Sequence, residues 1–550
     1  MPENLLQTIQ NTTPLVALVV SMALSMFLIP LVTKLAPLLG MIDLPEERKI
    51  HTQAIPRVGG LGIIFGALVS IAVLLPHNEV TSSFLLGALI LSLFGIWDDS
   101  KQVGPYTKFL GQFLAVAIVV FYGGIRIKHL PFTGIEDLSP WIGVPFTFFA
   151  IIGMANAVNT SDGLDGLAGG ESLLSLIVIA FLAFIAGGIE ACVIATACIG
   201  GIFGFLRFNT HPAQIFMGDT GSQFLGYALG FLAVLVTQEV HPSLSPALTL
   251  LFLGLPVIDI LAVMVKRLRK GISPFHADKT HIHHRLMNIG FDHYETVVII
   301  YSLQALLVIS AIFFRYDSDL LIITLYALAS MLLFGLLNYA ERTGWRSSAQ
   351  SPTKITSTVS FMRSHKLDVT KTTLNIVKYA VPAYMIIASL LVESVPRDFG
   401  IIASIFLIII FVDLFFYKEA TGIFVRGGVY IAAIFSVYLM EQSPRVEALP
   451  ELDILFFTIL ALSIAIVVRY ATDRKFETSP MDYLIVFGVF AIAVFGGRYL
   501  QLKDTGILII KGMIILYGCE FLFTRMVKRW NLLNISTLIV MLILSIRSIF

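Results

Sequence analysis

The sequence predicts an all-α polytopic membrane protein. Three observations predict it. Hydrophobic residues fill 57% of the 550 positions and charged residues only 13%, against about 25% charged in a soluble domain; the mean hydropathy is +0.87. The charge is confined to short stretches between apolar runs of about 20 residues, the length that crosses a hydrocarbon core of about 30 Å. Such runs are too long for strands, and an open sheet edge cannot face lipid, so they are helices.

In chain order the runs lie near 15–36, 58–76, 80–97, 107–124, 141–158, 172–188, 190–206, 222–239, 246–265, 296–315 and 319–339. These eleven make a first membrane unit, residues 1–340. Residues 341–375 are polar, basic and rich in Ser and Thr, and read as a cytoplasmic linker. Seven more runs fill an extension over 376–550, near 376–393, 398–417, 424–440, 452–468, 482–496, 506–523 and 532–548. No basic leader or A-x-A site precedes the first run, so it is expected to be a retained span. Cys192, Cys198 and Cys519 all sit in apolar runs without zinc or disulfide spacing and read as core residues. A net charge of +1 offers no basic excess for a nucleic acid.

Orientation follows from Lys and Arg. With the N-terminus outside, 28 of the 37 basic residues fall on the inner side or in inner loops; the opposite orientation inverts that ratio. Five loops then hold nearly all the unusual polar residues of the first unit: Ile42–Gly60, Trp97–Lys108, Asn156–Gly170, Arg207–Ser222 and Lys266–Glu295. They follow spans 1, 3, 5, 7 and 9, so all lie on the cytoplasmic side. A transporter is expected to keep its ionisable groups near the midplane. A crowd at one surface suits an interfacial enzyme.

Asp98-Asp99 ends the third run. Two adjacent carboxylates repel unless a cation or donor compensates, which suits a metal ligand or a base toward phosphate; an acidic helix cap is the plain alternative. Lys108 is either a snorkelling lysine or a phosphate contact. Asn156 and Asn159 share one helical face, Asp162 and Asp165 repeat the spacing, and Gly163, Gly166, Gly169 and Gly170 allow close backbone approach. Amide and carboxylate oxygens among glycines suit a hard cation and a nucleotide; the alternative is a glycine-rich turn. Asn209 and the string Met217-Gly-Asp219-Thr-Gly-Ser222 open the eighth run, where a helix N-terminus attracts phosphate or Asp219 simply caps it. His276, His281, His283 and His284 cluster with Lys279 and Arg285. Zinc is one reading of clustered histidines, but the cationic neighbours oppose a metal, so contact with an anion is preferred. His51 and Arg57-Val-Gly-Gly60 repeat the pattern of basic residue and glycines. The inventory is oxygen ligands for a hard divalent ion, basic groups for phosphate and glycines for a nucleotide. No Walker loop, Ser-His-Asp triad or Rossmann glycine string is present.

Pro56-Arg-Val-Gly-Gly60, Asp98-Asp99, Asn156 to Gly170, Phe208-Asn209 with Phe216 to Ser222, and His281-Ile-His-His-Arg285 together resemble the polyprenyl-phosphate N-acetylhexosamine-1-phosphate transferase family. The strings cover about residues 40–295, and the eleven-span layout is similar to about residue 340. The resemblance implies transfer of a sugar 1-phosphate, most simply GlcNAc 1-phosphate, from a UDP-sugar to undecaprenyl phosphate at the bacterial inner membrane. UMP is released, and cell-envelope polysaccharide synthesis begins. It implies Mg2+, with Mn2+ able to replace it. By motif position, Asp98 would activate the lipid phosphate and Asp99 would support the site. Asp219 would bind Mg2+ with Asn159 as second ligand. Asn209, Asp162 and Asp165 would line the nucleotide site, with Arg57, Lys108 and Asn156 beside them. His281, His283, His284 and Arg285 would hold diphosphate or sugar. The His-x-His-His-Arg form resembles the undecaprenyl-phosphate GlcNAc-1-phosphate branch more than the phospho-MurNAc-pentapeptide branch, which is the alternative within the family. A transporter or lipid flippase is the alternative outside it; Asp259 and Asp413 are the main mid-span charges that would serve one. The extension departs from the family pattern and is expected to serve homodimer contacts or glycan-assembly partners.

Overall fold

The computed structural model describes residues 3–44, 54–131, 137–271, 273, 280–347, 369–416, 423–441, 443, 450–470, 503–525 and 531–549. It is a multi-pass, all-α membrane protein. Among the described residues nine helices are long and apolar enough to cross a membrane, or ten if one sharply bent pair counts as a span. The described residues divide between two compact units, one within Met1–Gln350 and the other beginning at Val369.

The first unit contains α1 (Glu3–Leu39), α2 (Gly59–Leu74), α3 (Glu79–Lys101), α4 (Pro105–Phe121), α5 (Pro140–Ser161), α6 (Leu167–Ile185), α7 (Ile189–Asn209), α8 (Gly218–Leu235), α9 (Thr249–Phe252), α10 (Gly254–Arg269), α11 (Ile282–Asn288), α12 (His293–Phe313) and α13 (Asp319–Thr343). Each of the eleven expected apolar runs falls on a helix, the ninth on the broken pair α9 and α10. That pair turns by 90°, just ahead of Pro256, which lacks the N–H a straight helix would need there. The only strand pairing among the described residues is a two-residue antiparallel ladder, Ile42–Asp43 with Ile55–Pro56.

Helix α8 is the axis. Beyond Gln223 it is apolar on every face and buried, as a helix stretch without a polar face must be. Helices α2, α3 and α5 pack directly on it, while α1 packs against α2 and α7. The outer helices α1 and α13 leave most of their apolar surface outward, where lipid replaces protein as the apolar medium.

The second unit contains α14 (Val369–Leu391), α15 (Arg397–Phe416), α16 (Ile423–Glu441), α17 (Pro450–Tyr470), α18 (Lys503–Arg525) and α19 (Leu532–Arg547). Six of the seven expected runs fall on these helices; the seventh, 482–496, lies outside the described residues. Its core is aliphatic and aromatic. Buried Lys511 pairs with Glu441 and with Asp453 at 2.6 Å. Arg426 stands on α16, 3.6 Å from Glu520 and over the Phe523 ring.

Candidate active site

The polar residues of the sequence strings converge at one end of the first unit, where α3, α5 and α7 end and α4 and α8 begin. Asp98 and Asp99 are both buried but do different things. Asp98 lies 2.6 Å from the Lys108 ammonium, which also pairs with Asp219. Asp99 accepts from Asp219 N at 2.8 Å, Thr220 N at 2.9 Å and Thr220 Oγ1 at 2.5 Å. It caps α8 from a neighbouring helix and satisfies donors that the first turn leaves open. The chain reaches this turn through Gly218 at φ +74°, with Asp99 oxygens 2.6 Å and 2.9 Å from where a Cβ would stand. Only glycine fits there.

The two asparagines on α5 also diverge. Asn156 joins a buried amide chain, donating to Gln112 Oε1 at 2.9 Å, and Gln112 donates to Gln223 at 3.1 Å. Asn159 donates to Ser222 Oγ at 2.9 Å and reaches Asp219. Asp162 follows at the end of α5. Burial of its carboxyl among surrounding atoms, then the charges of Asp219, Asp99 and Asp165, push it up to about 7, with Arg57 pulling the other way. The residue is nevertheless exposed over more than a third of its surface, so water moderates that push.

Asp165 accepts from His211 Nδ1 at 2.6 Å and Ala213 N at 3.1 Å. Burial raises its carboxyl, but His211, Ala213 and His293 outweigh it and hold the group below its ordinary value. His211 and His293 stack at 4.2 Å with planes 25° apart, and one ring nitrogen of each and an Asp165 oxygen lie within 4.8 Å of one another. Asn209 uses its whole amide on the backbone, accepting from Gly166 N and donating to Ile215 O, both at 2.8 Å. It ties two loops together beside the place where it was expected to line a nucleotide site. Arg57 pairs with Asp43 across the short ladder, while Gly59 N and Gly60 N bond Phe216 O and Met217 O at 2.9 Å. The Arg-Val-Gly-Gly string thus fastens α2 to the loop before α8.

The histidine motif is the largest departure from expectation. Arg285 turns away to α13, bonding Glu341 at 2.7 Å and 3.0 Å and Asn338 at 2.7 Å. Its guanidinium is committed to protein carboxylate and amide rather than to a phosphate. His283 is buried, its Nε2 lacks a hydrogen-bond partner among the described residues, and it lies against Gly163. Burial, then the charges of His284 and His281, push it down to about 3, so it is neutral and serves no cationic role. His284 packs on it at 4.2 Å. His281 bonds Asp259 of α10 at 2.8 Å. His51, His276 and Lys279 lie outside the described residues. Sequence reasoning missed Gln112 and Gln223, amides inside apolar runs, and a lone polar group in such a run is the signal that was available.

The donor set fits a divalent cation. Asp98, Asp99, Asp162 and Asp219 stand together against Lys108 and Arg57, and Arg57 is already shared with Asp43. The Lys108 ammonium occupies the place between Asp98 and Asp219, so these two carboxylates already share a cation. Oxygen donors with surplus negative charge are what Mg2+ takes.

Fold and site together define a multi-pass membrane protein with a carboxylate-rich polar site at one end of its helices. The chain matches glycosyl transferase family 4 over residues 81–237. It is 34% identical over 332 residues, 60% of this chain and 92% of the relative, to a probable undecaprenyl-phosphate N-acetylglucosaminyl 1-phosphate transferase of Bacillus subtilis (strain 168). It is 29% identical over 323 residues to the undecaprenyl-phosphate alpha-N-acetylglucosaminyl 1-phosphate transferase of Escherichia coli (strain K12), covering 57% of this chain and 87% of that one. It is 30% identical over 306 residues to a decaprenyl-phosphate N-acetylglucosaminephosphotransferase of Mycobacterium leprae (strain TN), covering 49% and 76%. The chain belongs to glycosyl transferase family 4.

Proposed function

We propose that this chain transfers N-acetylglucosamine 1-phosphate from UDP-GlcNAc to undecaprenyl phosphate at the cytoplasmic face of the bacterial inner membrane, releasing UMP. The observation that carries the reading is the convergence of Asp98, Lys108, Asp162 and Asp219 at the ends of membrane helices. There a water-soluble diphosphate and a lipid phosphate can meet. The relatives' names support the sugar phosphate and the lipid, and the Lys and Arg distribution supports the cytoplasmic face.

A lipid phosphate oxygen attacks the β-phosphorus of the donor, and the bond from that phosphorus to the bridging oxygen breaks. UMP leaves with the bridging oxygen. One phosphoanhydride replaces another, so no external energy source is required. Asp219 and Asn159, with Asp98, would hold Mg2+ or Mn2+, which supplies charge neutralisation between the two anions. Lys108 draws the lipid phosphate toward Asp98. Asp99 fixes the first turn of α8, and with it Asp219. Asp162 and Asp165 frame the nucleotide side.

The test is UMP release by the detergent-purified chain from UDP-GlcNAc and undecaprenyl phosphate. Asp219→Ala and Asp98→Asn are expected to lose activity at least a hundredfold (about 2.7 kcal/mol of barrier) while inserting normally. Wild-type rates in both variants would overturn the assignment.

A further inference from the structure

Asp259 stands in the middle of an apolar helix, α10, and is buried. A carboxylate there is costly unless something compensates it. Both oxygens are engaged: Oδ2 lies 2.8 Å from His281 Nδ1, and Oδ1 accepts from Ile282 N at 2.9 Å. His281 is buried as well. An ionised carboxylate only accepts, so this contact puts the proton of His281 on Nδ1. Nε2 then has no hydrogen-bond partner among the described residues. The ring is parallel to His283, 6.0 Å away and 10° off, and His283 abuts Gly163, the neighbour of Asp162. The 90° break between α9 and α10 sets the direction in which α10 carries Asp259, and α10 and α11 both pack on α12.

We infer that Asp259 is a positioning residue for phosphoryl transfer, holding His281 with Nδ1 protonated and Nε2 turned to the reacting diphosphate. This rests on the proposed transferase reading. The carboxylate orients the imidazole and faces the ring when both nitrogens donate, Nδ1 to Asp259 and Nε2 to oxygens whose charge builds as the bridging bond breaks. No proton leaves the pair in this step; the departing UMP keeps the bridging oxygen, and the imidazolium donates a hydrogen bond to the phosphates. Ile282 N donates to the other carboxylate oxygen at the start of α11, a bond separate from the one that orients the ring. A carboxylate behind a ligating or catalytic histidine typically changes activity tenfold to a hundredfold when removed.

The experiment is a double-mutant cycle on the full chain with UDP-GlcNAc and undecaprenyl phosphate, using Asp259→Asn, His281→Gln and the pair. Rates are normalised to the monodisperse fraction from gel filtration. Asp259→Asn is expected to lower kcat tenfold to a hundredfold with KM for UDP-GlcNAc within about threefold. The double variant is expected to be no slower than His281→Gln alone. Ile282→Pro removes the backbone donor at a helix position that accepts proline and leaves the carboxylate–imidazole contact; its kcat per folded molecule is expected to stay near wild type. Losses that multiply in the double variant, or an Ile282→Pro loss as large as that of Asp259→Asn, would make Asp259 a structural residue only. A wild-type chain that releases no UMP would overturn the transferase reading and this inference together, whereas an active wild type with multiplying losses overturns the inference alone.

Discussion

Asp99→Asn separates the architecture of the site from its chemistry. The Asp99 carboxylate takes three hydrogen bonds from the first turn of α8, two on Oδ2 from Thr220 and one on Oδ1 from Asp219 N. Bonds to a charged acceptor contribute about 1.5–3 kcal/mol each. Asparagine keeps one carbonyl oxygen, which serves both Thr220 donors, and turns its NH2 toward the Asp219 amide. One bond is lost and two donors face each other in a buried place, a cost of about 2–3 kcal/mol. Melting is read with a thiol-reactive dye, because the three cysteines are buried and free and become reactive only on unfolding. The variant is expected to melt several degrees lower and to keep measurable UMP release at low temperature, unlike Asp98→Asn. If Asp99→Asn melts with the wild type yet is inactive, Asp99 belongs to the reacting groups and the capping argument fails.

The remaining predictions concern pH and the chain's length. In the metal-free chain the raised Asp162 carboxyl holds its proton to higher pH than an ordinary aspartate. A cation drawn to this cluster must compete with that proton at the acid end of the range and not at the alkaline end. The half-saturating Mg2+ concentration is therefore expected to rise severalfold from pH 8 to pH 6, and Asp162→Asn to flatten that dependence; a flat wild-type profile refutes it. Truncation after Ala340 removes Glu341, the double partner of buried Arg285. Glu341 is 40% exposed, so screening reduces the loss to about 1 kcal/mol. The chain 1–340 is also expected to melt below 1–350, which keeps Glu341 and the Ser347 N to Ile289 O bond. Equal melting of the two would dismiss the Arg285 clamp. Persistent UMP release by 1–350, with reduced glycan output in cells, would give the extension a role with partners.

The membrane helices were legible because run length and composition are one-dimensional properties. So was the convergence of the loops, since span parity assigns each loop a side. The direction of each side chain was not. Asn156, Asn209 and Arg285 belong to the same set of strings as Asp98 and Asp162, yet their polar groups are bonded within the protein. A histidine beside Lys and Arg reads as a phosphate contact, but burial makes His283 neutral. Asp259 read as a mid-span charge suited to transport; its partner lies 22 residues away and becomes visible only when α10 and α11 are placed. The break before Gly254 had Pro256 as its local signal, but the 90° angle is not written in the string.

The charge balance of the site sets an order on its ligands. Asp98, Asp99, Asp162 and Asp219 face Lys108 and an Arg57 that Asp43 already engages. Like charges about 5 Å apart at an effective dielectric of 20 repel by about 3 kcal/mol. A diphosphate approaching the metal-free cluster meets several such terms, and Lys108 cannot offset them while it bridges Asp98 and Asp219. A divalent cation between those carboxylates relieves the repulsion and releases the ammonium toward phosphate. UDP is therefore expected to bind the purified chain in Mg2+ at least tenfold more tightly than in EDTA, as read by calorimetry. Lys108→Met is expected to weaken undecaprenyl phosphate use more than UDP binding. Equal UDP affinity with and without Mg2+ would show that the carboxylates are neutralised from within, and the surplus negative charge would no longer argue for a cation.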